Sequence, residues 1–287
     1  MHHGSIGATE CPCKLEEQRL EDLHPHGHKV SKRVTIHQFP TGVEVFIDEH
    51  YETWSEPDPE AVEPIEKPER GEGDRESSVD RASRRAKTKV RRLAKALQAD
   101  CLLTLTYREN VTDKKRVEAD FKAFRKRLAV LGPFHYVATL EKQQRGAYHV
   151  HIACQQFPAW LRNEQGVRVK SYNLIRSMWR RVVGADNGNV DLTPPRGANK
   201  AHRIACYIAK YVMKNVQDAE LNAKSYWASR GINLPRPRTM LFPGSMPTWE
   251  IVSWFSKHYV VAMGFTDIAQ HADRMNMFHW FAASVPS

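Results

Sequence analysis

With 287 residues, a formal charge of +10 and a pI near 9.4, the chain has length for one large domain with extensions and favours a polyanionic partner. Its 41% hydrophobic content supports a globular core; no run approaches the ~20 apolar residues of a membrane span, and no signal-peptide core opens it. No membrane partner is expected, and five cysteines, an odd number, with Cys101, Cys154 and Cys206 inside apolar segments, read as buried thiols of a reducing, cytoplasmic compartment.

Residues 1–51 read as an N-terminal extension. Lys32 to Ile36 and Val43 to Ile47 alternate around Pro40-Thr41-Gly42 and suggest a hairpin. Cys11 and Cys13 with His24, His26 and His28 could bind zinc, but their spacing matches no common finger, and a mobile polar tail is preferred. Residues 52–80 hold eleven acids against three bases and few aromatics, which predicts a disordered acidic linker. From Arg81 to Gln98 eight Lys or Arg accompany a stripe of Ala86, Val90, Leu93 and Leu97, so a basic amphipathic helix is expected. Its Arg84, Arg85, Arg91 and Arg92 are candidate phosphate contacts.

Leu102 to Tyr107 reads as a central strand, and Asp113 to Leu131 as a helix with Phe121, Phe124 and Leu128 inward. Phe134 to Lys142 and Ala147 to Phe157 read as paired strands. A helix through Leu174, Met178, Trp179 and Val182 follows, with Arg176, Arg180 and Arg181 outward. After it come a short strand at Asn189–Leu192 and a turn at Pro194–Gly197. Helices mixed with antiparallel strands give an α+β layer fold. In the C-terminal extension, 236–287, a helix over 248–260 is expected. Its aromatics, with Phe278, Trp280 and Phe281, could stack bases, but core packing is the better reading.

The chemistry concentrates in two pieces. In Tyr148-His149-Val150-His151-Ile152 the two imidazoles share one strand face. In the apolar-periodic run Ile204 to Val212, Tyr207 and Tyr211 are i and i+4 on one helical face, with Lys210 beside them. Glu141 joins the histidines on one condition. A three-residue loop, Gln144-Arg145-Gly146, pairs 141 with 149 and requires a left-handed Gly146; a two-residue loop sends Glu141 to the opposite face. One carboxylate and two imidazoles with open positions suit Mg²⁺ or Mn²⁺. The phenols suggest phosphoryl transfer through a tyrosine nucleophile.

The strand Leu102 to Tyr107, then Glu141 with His149-Val150-His151, then Tyr207-x-x-Lys210-Tyr211, resembles the three ordered motifs of the HUH endonuclease superfamily. The two-tyrosine helix is most similar to bacteriophage gene-A-type rolling-circle replication initiators. Arg145-Gly146-Ala147 and Tyr226-Trp227-x-Ser229-Arg230-Gly231 add to a likeness covering roughly residues 85 to 235, and place the endonuclease domain at 81–235. The resemblance implies a sheet carrying Glu141, His149 and His151 as metal ligands beneath the helix of Tyr207, Tyr211 and Lys210. It also implies cleavage of single-stranded DNA at an origin, a covalent 5′-phosphotyrosine and a free 3′-OH primer. Arg145 is expected to contact DNA. No G-x-x-x-x-G-K-[ST] is present, so a separate host helicase and polymerase are expected partners. The rival readings are a two-tyrosine transposase and a non-catalytic basic nucleic-acid-binding protein.

Overall fold

A computed structural model describes residues 28–53, 75–194, 200–214, 226–265, 267–272 and 278–284. In chain order the first elements are β1 (His28–Phe39), β2 (Gly42–Thr53), α1 (Arg75–Ala96), β3 (Cys101–Tyr107), α2 (Lys114–Leu128), β4 (Tyr136–Lys142) and β5 (Tyr148–Cys154). Next come β6 (Trp160–Arg162), β7 (Arg168–Lys170), α3 (Ser171–Val183), β8 (Gly188–Thr193) and α4 (Lys200–Lys214). The last are β9 (Tyr226–Ala228), β10 (Arg238–Pro243), α5 (Thr248–Phe255), β11 (Asp267–Ala272) and β12 (Phe278–Ser284). The fold is α+β, as expected, and it divides into two compact units, 1–67 with 235–286, and 68–234.

The first unit is a five-stranded antiparallel sheet in the order β10-β1-β2-β12-β11. Its centre is the expected hairpin, closed by Pro40 and Thr41 with Phe39 opposite Gly42. Val34, Ile36, Val43, Val45 and Ile47 lie with Phe281 against Ile251 and Phe255 of α5 in one buried cluster. Phe255 and Phe281 are core residues, in line with the packing reading, whereas Trp249 is exposed. The N- and C-terminal segments, expected as separate extensions, therefore share one sheet. The pairing of β1 with β10 joins residues some two hundred positions apart, and local sequence carries no trace of such a partner.

The second unit is a sheet in the order β8-β3-β5-β4-β9 with helices on both faces. The alternation of β3 sends Cys101, Leu103, Leu105 and Tyr107 to one side, where Val150, Ile152 and Ala138 join Phe121 and Phe124 of α2 and Met178 and Trp179 of α3. Trp179 is fully buried and its indole N–H is satisfied by the Thr106 carbonyl at 2.9 Å. A Cβ on Gly188 would stand 2.8 Å from that indole, so β8 can reach the sheet only with glycine there. On the opposite face, Val137 and Ala153 lie beneath Val90, Leu93, Ala94 and Leu97 of α1 and Ile204, Ile208 and Val212 of α4. The basic helix and the tyrosine helix thus share one face of the sheet.

Three local expectations change. The basic helix begins at Arg75 rather than Arg81, because Arg75 to Asp80 lacks proline and glycine and continues the helical run. The acidic stretch 54–74, the cysteines and histidines before residue 28, and the turn at 195–199 lie outside the described residues. Cys101 and Cys154 are buried, but Cys206 is exposed; on α4 it precedes Tyr207 on the outward side, and its sulfur is 3.4 Å from His202 Nε2.

Candidate active site

The hairpin β4–β5 sets the register on which the site depends. The Gln143 N–H meets the Ala147 carbonyl at 2.8 Å, the Gly146 N–H meets the Gln143 carbonyl at 2.8 Å, and Gly146 has φ +86°. This is the three-residue loop with a left-handed glycine, and it places Glu141 opposite His149 and Thr139 opposite His151. Glu141, His149 and His151 therefore share the face that carries α4.

His151, 4% exposed, is held from two sides. Its Nε2 lies 2.8 Å from Glu141 Oε2, and its Nδ1 lies 3.1 Å from Thr104 Oγ1 on the neighbouring strand. A carboxylate only accepts, so Nε2–H donates to Glu141; in the neutral ring, Nδ1 then accepts from the Thr104 hydroxyl. Thr104 sits directly across from His151 in the β3–β5 register, and sequence reading ranked it only as a core-strand residue. His149 points its Nδ1 at Gln143 Nε2, 3.2 Å away, while Arg145 Nε donates to Gln143 Oε1 at 3.1 Å. Burial pushes the His149 imidazole below 6.5, with His151 and Arg145 acting in the same direction and Glu141 opposing. Arg145 thus reaches the site through Gln143, a residue that no sequence signal singles out.

The helix completes the arrangement. The Tyr211 ring stacks on His151 with centroids 4.5 Å apart, and Tyr207 meets the same imidazole edge-on at 5.6 Å. The Tyr211 hydroxyl donates to the Tyr207 oxygen at 2.9 Å. The two phenols differ in access: Tyr207 is 39% exposed and Tyr211 7%. Burial, ahead of the bond to Tyr207 and the Glu141 charge, holds the Tyr211 proton well above the ordinary phenol value. Lys210 lies on the exposed side of α4. Arg84 and Arg85 are exposed on α1, Arg91 and Arg92 half-buried, and Arg84 pairs with Asp80 at 2.7 Å.

The side chains at hand fit a divalent ion in kind. Glu141 and two imidazoles share a face, Thr104 backs one imidazole, and the Thr139 hydroxyl beside His151 in register is fully buried with no hydrogen-bond partner. The donors are not gathered to a common point: among the described residues no three of His, Cys, Asp or Glu form a group that could hold an ion. His149 is turned to Gln143, and Glu141 is occupied by His151.

Residues 100–216, from β3 through α4 and so including every one of these side chains, match the family of the replication-associated protein ORF2. The chain is also 26% identical over 125 residues to the phasyl DNA replicon protein arp of Escherichia coli, covering 40% of this chain and 43% of that protein. It therefore spans less than half the length of this relative. No solved structure matches. These likenesses support a replication-initiator family, with DNA as a partner. Among the described residues no helix is long and apolar enough to cross a membrane.

Proposed function

We propose that this chain is an origin-nicking initiator that cleaves and rejoins single-stranded DNA through a covalent tyrosine link. The observation that carries this reading is the stacking of Tyr211 and the edge-on approach of Tyr207 on His151, itself bonded to Glu141. Phenols set over a His–carboxylate pair, on a basic protein, suit transfer of a phosphodiester better than any chemistry of a neutral substrate.

Tyr207 is the first nucleophile in this reading. It is the accessible phenol, and its oxygen accepts the Tyr211 proton, a donor that stabilises charge developing on the attacking atom. The Tyr207 oxygen forms a bond to the scissile phosphorus as the phosphorus–O3′ bond breaks. The proton lost by Tyr207 balances the one gained by the departing 3′ oxygen. The products are a 5′-phosphotyrosine and a free 3′-OH for a polymerase. One phosphodiester replaces another, so the step reverses without a nucleotide cofactor. Glu141, His149 and His151 would hold Mg²⁺ or Mn²⁺, which supplies Lewis-acid polarisation of the scissile phosphate. Tyr211, retained and protonated, is positioned to act in a second cleavage while Tyr207 carries DNA.

The decisive experiment is mass spectrometry of the tryptic peptide attached to an oligonucleotide after incubation with single-stranded origin DNA and Mn²⁺. A DNA adduct on Tyr207 is expected, and excess EDTA should abolish it. An absence of any tyrosine adduct in wild-type protein overturns the proposal, and full adduct formation in excess chelator removes the metal from it.

A further inference from the structure

The ribbon β6–β7 and the start of α3 carry an exposed aromatic and basic surface outside the tyrosine site. Trp160 is 44% exposed, with Arg168 5.0 Å and Lys170 6.0 Å from its ring centroid. Tyr172, 39% exposed, has Arg176 5.0 Å from its own ring. Between them opens a cavity of about 290 Å³ lined by Phe157, Trp160, Lys170, Tyr172, Leu192 and Pro194. That is close to the lower bound of roughly 300 Å³ for small-molecule pockets, a size for one planar group. From Trp160 to Arg181 the chain has six basic residues and one acid, Glu164, and that acid pairs with Arg181 at 3.1 Å. Core packing needs none of these features, since Trp160 and Tyr172 stand outside the buried cluster beneath α3.

We infer that this surface is an accessory single-stranded DNA site, where Trp160 and Tyr172 stack a splayed base and Arg168, Lys170 and Arg176 contact the flanking phosphates. Exposed aromatic rings bordered by cations, in a region of one charge sign, are the chemistry that holds bases and backbone of a single strand. The cavity reaches Cys101 at the start of β3, three residues and about 10 Å along that strand from Thr104. Cys101 and Thr104 face opposite sides of the sheet, so a strand engaged at the tyrosines would pass the edge strand β8 to arrive here. The inference takes its choice of single-stranded ligand from the proposed function, but its test does not depend on cleavage.

The test uses full-length protein in EDTA and a fluorescein-labelled oligothymidylate of about 16 nucleotides, the upper site size for such platforms. Trp160→Ala should weaken binding about tenfold or more, the loss typical of one stacked base, while Trp160→Phe keeps a ring and should remain near wild type. Arg168→Gln with Lys170→Gln should flatten the salt dependence by roughly 0.7 per lost phosphate contact. A 5-bromouracil oligonucleotide irradiated on wild-type protein should crosslink within residues 158–173. Wild-type affinity in a folded Trp160→Ala/Tyr172→Ala protein overturns the inference, as does absence of crosslinks in that segment. Failure of the tyrosine chemistry would show separately, as wild-type protein that binds DNA and forms no adduct.

Discussion

Tyr211 donates its hydroxyl proton to Tyr207 across 2.9 Å while its ring lies on His151. The two phenols are one turn apart on α4, yet they are chemically unequal: one is buried and donating, the other accessible and accepting. This asymmetry is the basis for assigning them different first roles.

Tyr207→Phe should therefore lose the first covalent adduct. Tyr211→Phe should keep it but form it roughly ten- to hundredfold more slowly, the cost of a hydrogen bond to a charged group of ~1.5–3 kcal/mol. The single-turnover rate of adduct formation measures both. Equal rates for the two single variants would show that the hydroxyl pair is not ordered in this way.

Thr104 holds His151 from behind at 3.1 Å. A hydroxyl both donates and accepts, so it can keep the ring in place in either tautomer; valine has the same shape and can do neither. Thr104→Val should lower metal affinity or metal-dependent nicking about ten- to hundredfold, and Thr104→Ser should recover most of it. A Mn²⁺ titration of nicking rate separates loss of affinity from loss of rate.

Gly146 adopts φ +86°, and a Cβ there would approach Thr112 Cγ2 to 3.3 Å. Gly146→Ala should cost ~1–2 kcal/mol for the left-handed backbone alone. It also favours a shorter loop, and a one-residue slip carries Glu141 off the shared face. Thermal unfolding should show the destabilisation, and nicking should fall further than the lost stability explains.

Tyr107, Tyr136 and Tyr211 are all held above the ordinary phenol value, in each case chiefly by burial. A raised folded-state value means that the native protein keeps protons which the unfolded chain releases above about pH 10. Their stabilising contribution is therefore complete below pH 10 and is lost as pH climbs beyond it. The melting temperature should decline steeply from pH 10 to 12, and Tyr107→Phe should make that decline shallower. An unchanged slope in that variant would contradict the assignment.

Arg84, Arg85 and Arg92 lie on a helix that shares its sheet face with the tyrosines. Changing all three to Gln should weaken DNA binding for any sequence and flatten its salt dependence by about two. Affinity measured at two salt concentrations tests this. A variant selective against one sequence alone would mean that these residues read bases.

Much of this site was legible because its determinants are local. Gly146 fixed the loop length, alternation placed His149 and His151 on one face, and the i,i+4 spacing stacked the tyrosines. Thr104 and Gln143 were not legible as site residues, since a threonine in a core strand and a glutamine near a turn are ordinary where they stand. The β6–β7 ribbon has strands of three residues each, too short for a period to register. Cys206 misled because apolar neighbours on a helix do not say which way one position faces.

The first sheet has an implication for synthesis. The β1–β2 hairpin is flanked on one side by β10 and on the other by β12, and a ribosome makes those flanks only after some 180 intervening residues have emerged. During that interval both borders of the hairpin expose unpaired N–H and C=O groups. The nascent chain thus carries an adhesive two-stranded ribbon while its middle unit folds. Crowded polysomes, rather than the finished protein, are where intermolecular strand pairing would begin.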